Sequence, residues 1–121
     1  MCCSQATCPD PVRFQEEVCG NYSTTLNTDN FIWKTLTNTG SLGLFVPITL
    51  SVYALTESTP VVVAAMTPAG NVILTPPGSE IIAGTTKSFV IPAVNCINVH
   101  AVTAGDQVIG KFTVIAYHNV Y

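Results

Sequence analysis

The side chains with the most chemistry to offer are five cysteines: Cys2, Cys3, Cys8, Cys19 and Cys96. A thiol can hold a soft metal ion, act as a nucleophile or form a disulfide. Structural zinc sites usually present two close pairs such as C-x2-C, and Cys2-Cys3-x4-Cys8-x10-Cys19 has no such pairs. A small metal-binding module therefore stands only as an alternative, and no metal or other cofactor is expected. Nucleophilic catalysis fares worse. Cys96 and His100 share a strand phase, but four residues of strand span roughly 13 Å, beyond the reach of proton transfer. His118 reads as a strand-end histidine. The acids Asp10, Glu16, Glu17, Asp29, Glu57, Glu80 and Asp106 form no pair spaced for acid–base work. No glycine-rich phosphate loop appears. The chain is not expected to be an enzyme.

Disulfides remain. Cys2 and Cys3 are adjacent, and adjacent cysteines seldom bond each other because the ring is strained. Five is odd, so not every thiol can pair within one chain, which points to intermolecular bonds or a free thiol. That many cysteines in 121 residues also point to oxidising surroundings. Yet the start, Met1-Cys2-Cys3-Ser4-Gln5, lacks the basic and apolar segments of a signal peptide. Synthesis is expected in a reducing cytosol, and oxidation after another route out, such as lysis of the producing cell.

The elements that carry these thiols fall into two parts. Residues 1–12 read as a connector arm: Pro9 and Pro11 bar a helix and favour extended backbone, and the stretch cannot fill a core. Residues 13–121 read as one β-sandwich body. β-branched and aromatic residues dominate it, with turn residues at short intervals. Strands are predicted near residues 14–23, 29–38, 45–56, 60–67, 71–75, 85–91, 94–102 and 108–119. Turn signals such as Pro68-Ala69-Gly70-Asn71, Pro76-Pro77-Gly78 and Ala104-Gly105-Asp106 separate them. The fold class is all-β, a single eight-stranded sandwich of jelly-roll type with an extended N-terminal arm.

Strand phase then places the body thiols. Phe14, Val18 and Tyr22 share one phase, while Cys19 falls with Gln15, Glu17 and Asn21. Ile97, Val99 and Ala101 share one phase, while Cys96 falls with Asn98 and His100. Both thiols are predicted to face outward, as docking points for other thiols. The alternative is that one or both are core thiols, since a cysteine usually packs as a small hydrophobe.

Composition excludes other classes. Charged residues make up 9% and apolar residues 48%, which suits a protein that hides surface against copies of itself. The net charge is −3, and the cations Arg13, Lys34, Lys87 and Lys111 are scattered. No basic patch for nucleic acid exists. The longest apolar run, residues 61–66, is far too short for a membrane helix. Trp33 and the tyrosines leave one alternative function, a monomeric carbohydrate-binding sandwich, although a Trp in a strand is more often packing.

The double cysteine near the N-terminus, the strand cysteine in Glu17-Val18-Cys19, the Thr-rich all-β body and the aromatic last strand resemble subunits of bacterial endospore appendages, the Ena fibres. The resemblance covers essentially the whole chain. It implies a jelly-roll domain whose connector docks on subunits in the layer beneath, with sheet augmentation between neighbours in a layer. By this resemblance Cys2, Cys3 and Cys8 are connector thiols and Cys19 is a receiving thiol. Helical members carry a second receiving cysteine in the last strand, where this chain has Thr113; Cys96 is the other body cysteine and stands in for it. The short arm and this departure point to ladder-like ring stacks. The subunit would be made in the mother-cell cytoplasm and end in a pilus-like fibre on the spore surface. Its partners would be its own copies, with the spore surface or fibre-tip proteins, for spore contact or aggregation.

Overall fold

The computed structural model describes residues 12–28, 30–35 and 45–120. The predicted arm, including Cys2, Cys3 and Cys8, lies outside the described residues up to residue 11. Eight strands are described: β1 (Val12–Thr24), β2 (Phe31–Lys34), β3 (Val46–Ala54), β4 (Val61–Thr67), β5 (Gly70–Ile73), β6 (Thr86–Val94), β7 (Cys96–Ala101) and β8 (Val108–Val120). There is no helix among the described residues, and so none long and apolar enough to cross a membrane.

The strands form two four-stranded antiparallel sheets, ordered β1-β8-β3-β6 and β2-β7-β4-β5. Only the β4–β5 connection stays within one sheet; every other connection passes to the facing sheet. Alternation explains why the sheets stack. In β3, Ile48, Leu50, Val52 and Ala54 are buried, while Pro47, Thr49, Ser51 and Tyr53 are not. Val61 and Val63 of β4, Ile97 and Val99 of β7, and Val114 of β8 meet them in one apolar cluster. Period-two patterning thus gives each sheet one face that leaves water by closing on the other.

The prolines and glycines sit where their backbones allow. Pro47 lies at a register shift between Val46 and Ile48, and Pro92 lies on the edge strand β6, so neither removes a bond from a regular central ladder. Gly110 is required by a close approach: a Cβ there would collide with the Tyr53 carbonyl oxygen and the Tyr22 ring. Tyr22 is buried, and its hydroxyl donates a 2.8 Å hydrogen bond to that same carbonyl. Burial holds its phenol well above the usual tyrosine range.

The predicted strands differ from the observed ones mainly at two places. The described part of β2 is short, Phe31–Lys34, with Thr35 beyond it and residues 36–38 outside the described residues. Val94 ends β6 rather than opening β7, because Asn95 alone makes the connection between them. Its backbone is satisfied there: Asn95 N–H donates to Met66 O at 3.0 Å, and Asn95 O accepts from Thr35 N–H at 2.9 Å.

Candidate functional site

Cys19 lies mid-way along β1, an edge strand, opposite Thr113 of β8. Its neighbours in phase point outward while Val18 packs on the core and Tyr22 is buried in it, so the thiol is exposed. The register carries the same row across the sheet. Thr113 pairs with Ser51 of β3, and Ser51 with Ser88 of β6. Cys19, Thr113, Ser51 and Ser88 therefore form one transverse row of small thiol and hydroxyl side chains across the outer face. The Thr113 hydroxyl donates towards Cys19 Sγ at 3.8 Å, and Ser51 Oγ and Ser88 Oγ are 3.0 Å apart. Longer side chains stand on either side, in the rows Glu17–Ile115–Thr49–Val90 and Asn21–Lys111–Tyr53–Thr86. A shallow hollow of about 190 Å³ opens along this face, lined by Ser51, Tyr53, Thr86, Lys111, Phe112 and Thr113.

Cys96 opens β7 in the other sheet, between Lys34 of β2 and Met66 of β4. Ile97, Val99 and Ala101 are buried in the core, so Cys96, Asn98 and His100 take the outward phase, as the sequence predicts. A register shift between Phe31 and Trp33 shapes this face. It turns Trp33 into the core and leaves both Phe31 and Lys34 outside, where the Lys34 Nζ lies 4.7 Å from the Phe31 ring centre. Exposed Phe31, Met66 and Ile73 surround Ala64 and Asn98, which are buried although they are on the outward phase. That sunken polar group was missed in the sequence; Asn98 Oδ1 is satisfied by His100 Nδ1 at 2.9 Å.

Neither described thiol is therefore a core thiol, and Cys19 and Cys96 are not bonded to each other. They stand on the outer faces of opposite sheets. His100 is four residues from Cys96 and engaged with Asn98, so these two make no catalytic pair. Trp33, the leading residue for a sugar platform, is 7% exposed and packed in the core, which removes it from that role. No group of three or more His, Cys, Asp or Glu positioned for a metal ion occurs among the described residues.

These features define a β-sandwich that carries a thiol on the outer face of each sheet. No protein-family model matches the sequence, and no curated protein matches it. Among solved structures, the chain is similar to a subunit of Bacillus endospore appendages, which form a novel family of disulfide-linked pili. The TM-score is 0.66 with 11% identity, over 93% of each chain. At that identity the likeness is one of fold.

Proposed function

We infer that the chain is a structural subunit of an extracellular spore-surface fibre, not an enzyme, and that its copies are joined by disulfides. The observation that carries this reading is the outward Cys19, held on a rigid strand in a row of small side chains that leaves its sulfur open to another chain. The fold likeness to a disulfide-linked pilus subunit over nearly the whole length supports it. The order β1-β8-β3-β6 facing β2-β7-β4-β5 supports a jelly roll, since, β4 and β5 excepted, sequence-distant strands pair within each sheet and successive strands alternate between them.

In this reading residues 1–12 are the connector, Cys2, Cys3 and Cys8 are its thiols, and Cys19 and Cys96 are the receiving thiols. Each bond restricts the dissociated state, by roughly 2–4 kcal/mol, and repetition at every junction makes disassembly very slow. Among the described residues β1, β6, β2 and β5 are the edge strands, and in this reading they are where neighbours within a layer augment the sheets. Ring stacks joined by connectors follow, on the outside of a spore, with the subunit made in the mother cell and the spore surface or tip proteins as its other contacts.

Electron microscopy of the purified chain, with gels run with and without reductant, tests this. The expected result is fibres and a multimer ladder that collapses on reduction. A monomer on both gels with an empty grid overturns the reading.

A further inference from the structure

We propose that a hollow on the outer face of the β2-β7-β4-β5 sheet binds the terminal ring of a neutral sugar, between Asn27 on one wall and Thr75 and Glu80 on the other. The hollow holds about 250 Å³. It arises because two strands stop short. β2 begins at Phe31, opposite Asn98, and β5 ends at Ile73, opposite Ala64. The next outward row, His100 beside Val62, has no strand on either flank among the described residues. Connections flank it instead. On one side residues 24–28 pass by, tied by the Ala101 N–H to Leu26 O at 2.8 Å, and Asn27 lines the hollow from there. On the other side Thr75 Oγ1 takes the place of a backbone carbonyl and accepts the Val63 N–H at 2.9 Å. The chain then leaves the sheet edge and returns at Ile81, whose N–H and O both bond Val61 at 3.0 Å. Thr75 and Glu80 line the hollow from this bulged stretch.

The lining sets the chemistry of the ligand. Its polar groups are positioned in advance. Thr75 is buried and already accepts from Val63, Glu80 Oε1 accepts the Gly78 N–H at 3.1 Å, and His100 Nδ1 lies 2.9 Å from Asn98 Oδ1. Groups fixed beforehand cost less to order on binding. The set mixes roles: a carboxylate accepts, the Thr75 hydroxyl keeps a proton to donate, and the Asn27 amide does both. Sugar hydroxyls also do both. Val62 forms an apolar floor and the exposed Ile73 and Val102 an apolar rim, which suit the C–H face of a sugar ring. Other ligands fit less well. The Glu80 carboxylate disfavours an anion, and no Lys or Arg lines the hollow among the described residues. An ammonium would use the acceptors alone. A metal ion would want a third His, Cys, Asp or Glu, and no such group occurs among the described residues. The volume lies below the range of about 300–1,000 Å³ for drug-sized sites, which suits one ring and not a longer oligosaccharide.

Saturation-transfer NMR tests this on the full chain. It reads the protons of the sugar, so it serves whether or not the chain assembles. The probes are the methyl β-glycosides of glucose, galactose and N-acetylglucosamine. The expected result is transfer to the ring protons of at least one, with a Kd of about 1 mM, the range that about a dozen heavy atoms support. Glu80→Ala removes the carboxylate, and Asn27→Lys sets an ammonium against it. Each should weaken binding about fivefold or more, the effect of one lost hydrogen bond, with a circular dichroism spectrum like that of the parent. Lys111→Ala, on the other sheet, should leave binding unchanged. No transfer from any of the three probes at about twenty times that concentration overturns the proposal. Binding that survives either hollow variant undiminished overturns its assignment to this hollow. Fibre formation is read separately by microscopy, so failure here leaves the fibre reading intact.

Discussion

Cys19 and Tyr22 sit three residues apart on β1 and have opposite fates, one thiol outside and one phenol in the core. Cys19→Ser replaces an exposed group that accepts only a long contact from the Thr113 hydroxyl, and surface changes of this kind stay within about 0.5 kcal/mol. The variant should melt like the parent, while its fibres should lose resistance to boiling in detergent; equal resistance would count against Cys19 as a linkage point. Tyr22 gives a pH prediction. Its folded-state phenol titrates above the ordinary value of 10.0 because burial disfavours the phenolate. The stability it contributes is complete below pH 10 and is lost as pH rises beyond it, because the unfolded chain then gives up a proton that the folded one keeps. Alkaline titration followed by circular dichroism should show this loss in the parent, and a shallower one in Tyr22→Phe. That variant should also lose about 1 kcal/mol at neutral pH, from the missing bond to Tyr53 O.

Among the elements, β3 is one of the two central strands of its sheet. It is flanked by β8 and β6 and alternates core and surface positions along its length. Leu50 at its centre is fully buried. Leu50→Ala should cost about 2–5 kcal/mol and lower the melting temperature by roughly 10 °C or more, measured by calorimetry on the unassembled chain. Strand phase made much of this legible in advance. The pattern of Ile97, Val99 and Ala101 against Cys96 and His100 needs only the two-residue period of a strand. The Asn95 connection was not legible, since Val94 and Cys96 read as one continuous strand until the backbone of Asn95 is seen bonded to Met66 and Thr35. Nor was the shift in β2, where an extra residue places Phe31 and Lys34 on the same face.

For the whole molecule, the described residues of the two sheets supply one apolar cluster between them. A chain lacking residues 1–10 should therefore fold, with a melting transition close to that of the parent. In the fibre reading it should give rings or short arcs by microscopy and no long fibres. Normal long fibres from it would remove the connector from the assembly.

The sequence by itself determined the all-β class, the approximate strands and the outward phase of Cys19 and Cys96, because period, turn chemistry and β-branching act locally. It also set the inventory of thiols and the single acid of residues 1–11. Only the tertiary structure decided which side chains become neighbours. The row Cys19–Thr113–Ser51–Ser88 joins residues from four strands far apart in the chain, and the pairing of Cys96 with Lys34 joins β7 to β2. Such contacts depend on strand order and register, which are fixed when two apolar faces close on each other and not by any short stretch of sequence.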